Sequence, residues 1–291
     1  MEFCEAYQMF LEYVEARGHS PLTVSSYRQD QRSFQTFLWE KTIDPHLDNL
    51  DAKIVRRYIV WMKGKGYSRA TMKRKIDSLS SFFNYTEFEE LIQSNPLKKV
   101  DRIKKPKLLP RFLSDDEVHR LIYAVDHYKA LNRLGNKAMI RILLYCGLRR
   151  SELFNLDWSD IDFCRGTILV RLGKGEKDRV LPMNSEVNQC LWEYLQFRLP
   201  LACPAVFTNH YGNRMKPNNL MRLLRKLAMK AGIQKALTAH LMRHTFATMV
   251  LKKTDIVTLQ KMLGHCDLST TQIYAHTSTE RMAQAVENLL I

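Results

Sequence analysis

Apolar residues return at three- and four-residue intervals through most of this chain, and the interruptions of that rhythm divide it into elements. Phe3, Tyr7, Phe10, Leu11 and Val14 recur at helical spacing, and RGHSP then stops the helix. Ser20 as N-cap and Pro21 at the first helical position start a second helix that runs on through SPLTVSSYRQDQRSFQTFLWE. Two further helical patterns, over 52–64 and 68–85, complete a four-helix domain spanning 1–95. NPLKKVDRIKKPKLLPRFLS breaks the pattern with prolines and basic residues, which predicts an extended linker over 96–112. Its lysines, Lys104 and Lys105 among them, read either as solvated charge or as a strap along phosphates.

A capping box at Ser114–Glu117 opens a second domain over 113–291. Helices are expected at 115–126, 135–146 and 150–156. GTILVRL (166–172) and DRVLPM (178–183) alternate like strands around the turn GKGEK. From 184 onward the pattern is almost wholly helical, apart from a short possible strand at AVFTNH. The predicted fold class is mainly α with a small antiparallel β-sheet in the second domain.

Charge narrows the function. Lys and Arg number 45 against 30 Asp and Glu, a formal net charge of +15, which favours a polyanionic partner. Residues 1–110 hold 19 basic and 14 acidic groups and residues 111–291 hold 26 and 16, so both halves are expected to touch that partner. Six cysteines without a C-x-x-C pair point to reduced thiols. No secretion signal and no membrane-length apolar run is read, so a soluble cytoplasmic protein is expected.

The candidate chemistry lies in four places. In CGLRRSEL, Arg149 and Glu152 read either as a surface ion pair or as a phosphate-gripping guanidinium oriented by a carboxylate. Lys174 sits between Gly173 and Gly175 in the hairpin turn, as an ordinary exposed lysine or as a proton donor carried into a DNA groove. His240 and Arg243 stand three apart on a predicted helix and can share a face. His240 and His244 have zinc spacing, but Arg243 between them opposes a second cation, so no metal is expected. Gly264 is placed to close the next helix and present His265, and Tyr274 follows nine residues on. Tyrosine is a poor nucleophile unless cations and a base surround it, and these motifs supply both. The phosphate-loop pattern G-x-x-x-x-G-K-[ST] is absent, which argues against nucleotide hydrolysis.

With SPLTVSSYRQDQRSFQTFL, the basic linker, CGLRRSEL, LGKGEKD, HLMRH and LGHCDLSTTQIY in order, the chain resembles the tyrosine recombinases of the phage integrase family, and most closely their small bacterial Xer type. The resemblance implies a SAM-like core-binding domain followed by a catalytic domain. It implies Arg149, Lys174, His240, Arg243 and His265 as catalytic residues and Tyr274 as the nucleophile, with Glu152 in support. Cys146 stands where Thr is frequent, Arg150 where a small apolar residue is usual, and Met242 where Leu is common. Cys146 and Met242 read as repacking, Arg150 as an added DNA-backbone contact.

The implied reaction is a transesterification that leaves a 3′-phosphotyrosyl bond and a free 5′-hydroxyl, with neither ATP, cofactor nor metal. Preorganised donors of the kind Arg149 and Arg243 provide are worth about 3–4 kcal/mol each in other enzymes. His265 adds a further hydrogen bond, His240 is the candidate base and Lys174 the candidate acid. Double-stranded DNA is the expected partner, clamped between the two domains, with Arg69 and the run Lys73-Arg74-Lys75 as groove or phosphate contacts. Met282, Val286 and Leu289 line one face of the tail 278–291, which is expected to reach a neighbouring subunit in a homo- or hetero-tetramer, with accessory proteins as further partners. A type IB topoisomerase and a catalytically silent DNA-binding regulator on the same fold are the competing readings.

Overall fold

The architecture was obtained as a computed structural model, which describes residues 1–101, 103, 112–171 and 178–264. The chain divides into two compact units, Met1–Leu108 and Leu109–Ile291, each with its own core.

The first unit packs α1 (Phe3–Ala16), α2 (Pro21–Glu40), α3 (Ala52–Gly64) and α4 (Arg69–Phe88). The five apolar residues read from the opening stretch are all buried. They join Phe34, Phe37, Tyr58, Phe82 and Phe83 in an aromatic core, where the Tyr7 ring stacks on Phe82 with centroids 4.7 Å apart. Ser20 accepts from the Thr23 N–H, the cap expected of it, with Pro21 just inside the helix. Burial raises the Tyr7 hydroxyl well above the usual phenol range, although Ser78 offers it a hydrogen bond.

Two expectations need correcting in this unit. Residues 96–99 are not extended but form a turn of 3-10 helix, because Asn95 Oδ1 accepts from the Leu97 N–H and Arg56 donates to the Lys99 carbonyl. Leu97, Val100 and Ile103 pack on the first core, so apolar contact rather than basic character decides the path of this segment. Lys75 is no surface contact. Its side chain is 6% exposed and its Nζ lies 3.0 Å from the Asp30 carboxylate, which α2 brings against α4. Arg74 shares the same carboxylate and also donates to Ser26 Oγ at 2.8 Å, yet its side chain stays 44% exposed. Lys73 pairs with Asp77 one turn along the helix, and Arg69 is exposed at the helix start. Lys104 and Lys105 lie outside the described residues.

The second unit centres on α6 (Arg133–Tyr145), whose residues Ala138–Leu144 are all buried. Around it pack α5 (Asp115–Asp126), α8 (Ser185–Arg198) and α10 (Ala239–Leu251), and α5 also meets α9 (Asn218–Lys230). The Ser114–Glu117 capping box is present at the start of α5. Inside this helical body Arg141 is buried and paired to Asp126 on α5 and Glu186 on α8. Two strands were read and a third joins them: β1 (Ile161–Asp162), β2 (Thr167–Val170) and β3 (Arg179–Pro182) form an antiparallel sheet in the order β1-β2-β3. A two-residue strand is too short to show alternation, which is why β1 leaves no sequence signal. AVFTNH forms no strand, only isolated bridges from Ala205 to Asp157 and from Thr208 to Arg214. In β2 and β3, Ile168 faces Leu181 and Val170 faces Arg179, and all except the last are ordinary core residues. Among the described residues no helix is long and apolar enough to cross a membrane.

Candidate functional site

Three short structures converge on the site, beside Arg179 at the start of β3. The first is the turn into α7 (Arg150–Asn155). Gly147 adopts φ +63°, and a Cβ there would lie 2.2 Å from the Phe246 ring, so both conformation and space require glycine. The chain then passes through Leu148 to Arg149, the N-cap of α7. Glu152, at the third helical position, turns its carboxylate back to accept the Arg149 N–H at 2.7 Å. The second is α10, started by Thr238 Oγ1, which accepts from the Leu241 N–H. The third is the end of α11 (Ile256–Leu263), begun by Asp255 and closed by Gly264 in the left-handed conformation expected of it.

Glu152 is the hub. Its side chain is only 5% exposed, so the surface ion-pair reading fails. Arg149 Nη1 donates to Oε1 at 2.9 Å, while Arg179 donates through Nη1 to Oε1 at 3.0 Å and through Nη2 to Oε2 at 2.8 Å. Arg243 Nη1 stands 3.8 Å from Oε2. Burial alone pushes the Glu152 carboxyl up. The Arg179 hydrogen bonds, the Arg149 N–H and the charge of Arg243 together more than reverse that and hold it below the usual carboxylate range.

The same three arginines also hold the end of α11. Arg179 Nε donates to the Met262 carbonyl at 2.9 Å, Arg243 Nη2 to the Leu263 carbonyl, and Arg149 Nη2 to the Gly264 carbonyl at 3.2 Å. A helix C-terminus leaves its last carbonyls without intrahelical partners and carries partial negative charge. Here guanidiniums cap three consecutive ones. Arg243 also donates to the Gly147 carbonyl at 2.8 Å, tying α10 to the glycine turn.

The expected residues therefore divide. Arg149, Arg243 and Glu152 come together. His240 is exposed on the first turn of α10 and shares a 2.9 Å contact between its Nε2 and that of His244, so one ring donates to the other. His244 is half-buried, and burial first, then the charges of His240 and Arg243, lower its pKa to about 4. Arg150 is exposed, whereas Cys146 and Met242 are core residues. Burial pushes the Cys146 thiol up to about 12. Lys174, His265 and Tyr274 lie outside the described residues, as does the tail 278–291. Among the described residues no cluster of three or more His, Cys, Asp or Glu is placed to hold a metal.

Sequence reading gave Arg179 no role. The signal was present, since alternation along DRVLPM puts it on the same face as Leu181, and an arginine at a core-facing strand position needs a partner.

Guanidiniums gathered by one buried carboxylate, on a helical body with a hairpin sheet, make a site suited to the oxygens of a phosphate ester. The family model described as Phage integrase family matches residues 111–281, and the one described as Phage integrase, N-terminal SAM-like domain matches residues 7–90. The chain belongs to the phage integrase family and is an enzyme of the tyrosine recombinase type. It is 34% identical over 290 residues to a tyrosine recombinase of Thermosipho africanus (strain TCF52B), covering 97% of this chain and 98% of that one. Tyrosine recombinase XerD of Oceanobacillus iheyensis is 33% identical over 273 residues, 91% of each chain. Among solved structures, XerH site-specific recombinase bound to palindromic difH substrate in a post-cleavage complex matches with a TM-score of 0.79 at 26% identity, covering 95% of this chain and 83% of that one.

Proposed function

We propose that this protein is a site-specific recombinase that cuts and rejoins double-stranded DNA through a 3′-phosphotyrosyl intermediate. The observation that carries the reading is the gathering of Arg149 and Arg243 on Glu152 in a chain that also places Lys174, His265 and Tyr274 in family register. Tyr274 attacks the scissile phosphorus, the bond from phosphorus to the 5′ oxygen breaks, and that oxygen leaves with a proton from Lys174. Arg149 and Arg243 hold the non-bridging oxygens, His265 adds a hydrogen bond, and His240 takes the tyrosyl proton. Glu152 orients Arg149. Because the ester bond is conserved in the phosphotyrosine, a second DNA end reverses the step without ATP.

Exchange between two duplexes requires several active sites, and a tetramer of identical or paired protomers, joined through the tail 278–291, meets that need. Resolution of chromosome or plasmid dimers, or integration and excision of a mobile element, fits such an assembly. The bound difH substrate in the XerH complex supports DNA as the partner, and the charge of +15 supports contact along phosphates. Arg69, Lys73, Arg74 and Arg150 are the described candidates for that contact, and Lys104 and Lys105 the others. Free cysteines among the described residues fit work in the cytoplasm.

The test traps the protein on nicked suicide duplexes made from host genomic DNA. The unsubstituted chain is expected to give a covalent adduct that mass spectrometry locates on Tyr274, and Tyr274→Phe to give none. An adduct on another side chain, or cutting that persists in Tyr274→Phe, overturns the proposal. Unchanged biological output in Tyr274→Phe would instead favour the silent regulator.

A further inference from the structure

We infer that Arg179 is a positioning residue of the transesterification: it fixes the plane of the Glu152 carboxylate and the last turn of α11, and through them sets where Arg149 and Arg243 meet the phosphate. The inference rests on the recombinase reading above. Arg179 starts β3 opposite Val170 and shares the sheet's buried face with Ile168 and Leu181. Its side chain is 8% exposed. Packing alone is better served there by Val or Leu, since apolar residues of similar volume often replace a buried ion pair without loss. A guanidinium at this position does something that packing does not ask for.

Its bonds indicate what. Two parallel N–H groups grip both Glu152 oxygens at 3.0 and 2.8 Å, a fork-to-fork contact that leaves the carboxylate one orientation. In that orientation Oε2 meets the Arg149 N–H and Oε1 meets Arg149 Nη1. Without Arg179 the carboxylate is free to turn and take Arg149 in the bidentate manner, drawing that guanidinium toward α7 and away from the substrate. The third bond, from Nε to the Met262 carbonyl, anchors α11 two residues before Gly264. The fit is close: a Cβ on Gly264 would lie 3.0 Å from Arg179 Nη1 and 3.1 Å from its Cδ. Arg179 also stands five residues after Lys174 in sequence, so one side chain ties the strand that follows the candidate acid to the arginines and to the helix that precedes His265.

Arg179→Lys keeps the charge and removes the fork, which isolates the geometric role. The substrate is a nicked duplex carrying the site recovered by covalent trapping, made with an ordinary phosphate or with a neutral methylphosphonate at the scissile position. Three quantities are measured: the rate of adduct formation at saturating DNA, the Kd for the same duplex, and the melting temperature. Arg179→Lys is expected to slow the adduct by about 30-fold or more, the scale of losing part of an oxyanion clamp. Its Kd is expected to stay within about threefold, because DNA contacts elsewhere dominate affinity. On the methylphosphonate the deficit is expected to fall below about tenfold, because a neutral phosphorus centre asks less of Arg149 and Arg243. A purely structural role would not make the deficit depend on substrate charge. A rate within threefold of the unsubstituted chain, a loss confined to Kd, or an equal deficit on both substrates overturns the inference. Should Arg179→Lys not fold, the charge-balanced pair Glu152→Gln with Arg179→Met is expected to show the same deficit, and a near-normal rate in it counts against the role. If the unsubstituted chain forms no adduct, the recombinase reading itself fails, which is a distinct result.

Discussion

Replacing Glu152 by Gln changes one oxygen for a nitrogen of nearly the same size, and its cost can be worked from the contacts. Gln keeps an acceptor at one end, which can serve Arg149 Nη1 and Arg179 Nη1. Its amide nitrogen then faces the Arg149 N–H and Arg179 Nη2, two donors that lose their acceptor. Hydrogen bonds to charged groups contribute about 1.5–3 kcal/mol each, so two lost bonds come to about 3–6 kcal/mol. Removing one partner of a buried pair costs about 3–5 kcal/mol by a separate route. The two ranges agree, and either is a large share of the roughly 5–15 kcal/mol that holds a domain folded. For a unit of this size the melting temperature should drop by about 6–20 °C. Urea and thermal unfolding at pH 7, followed by circular dichroism and tryptophan fluorescence, measure it. Trp39 and Trp61 report the first unit and Trp158 and Trp192 the second, so the loss should fall on the second transition. The pH dependence gives a further check. The folded Glu152 pKa is lowered, so its stabilisation is complete above the unfolded value of about 4.3 and fades as pH falls through the folded value. The deficit of Glu152→Gln should therefore shrink in acid. A loss below about 1 kcal/mol at pH 7, against the 3–5 expected of a broken buried pair, would refute the account of Glu152 as hub.

Three further variants test the placements above. Lys75→Ala strips Asp30 of a buried partner but leaves it Arg74, so the first unit should lose about 3 kcal/mol, the low end for a broken buried pair. Arg69→Ala should leave stability alone and reduce the slope of log affinity for DNA against log salt by about 1, as anisotropy titrations would reveal. Native melting with weakened DNA binding in Lys75→Ala would reverse the assignment. For His244 the folded pKa of about 4 lies below the unfolded value, so the fold binds fewer protons than the unfolded chain between roughly pH 6.5 and 4 and loses stability as pH falls through that window. Near pH 5 the loss should approach about 2 kcal/mol, and His244→Gln should flatten it. An unchanged slope in that variant would show that His244 titrates normally.

Much of the fold was legible because the local signals and the tertiary solution agree. The Phe3–Val14 rhythm, the Ser20-Pro21 start, the Ser114–Glu117 box and Gly264 each act within a few residues of themselves, and each appears where periodicity and capping put it. Failures arose where distant partners decide the outcome. Lys73-Arg74-Lys75 is one basic run in sequence, yet Asp30, forty-five residues from Lys75, removes its last member from the surface. Residues 96–99 carry proline and lysine, yet Leu97 and Val100 find an apolar core to join. Arg149 and Glu152 were visible as a pair because they stand three apart, at the N-cap and third position of one helix. Arg179 was not, because its partner lies twenty-seven residues away on another element.

The charge count explains why such a site suits a phosphodiester better than a carboxylate or a neutral ester. Arg149, Arg179 and Arg243 bring three positive charges to Glu152, which returns one, so these four residues carry a net +2. Two further carboxylates would neutralise the guanidiniums fully and leave them with nothing to gain from substrate. No carboxylate at all would leave like charges a few ångströms apart, each repelling the next by about 4 kcal/mol at an effective dielectric near 20. Among these four described residues, one acid with three bases lies between these limits. It lets the cluster assemble before DNA arrives, held also by the carbonyl groups that end α11. In the reaction proposed above, positive charge at these residues would suit a phosphorus centre whose charge grows from one toward two negative units as the tyrosyl oxygen attacks, with attraction greatest at the transition state. Arg149, with its side chain 33% exposed, is the most open of the three arginines. Arg179, almost wholly enclosed, supplies charge and alignment from behind it.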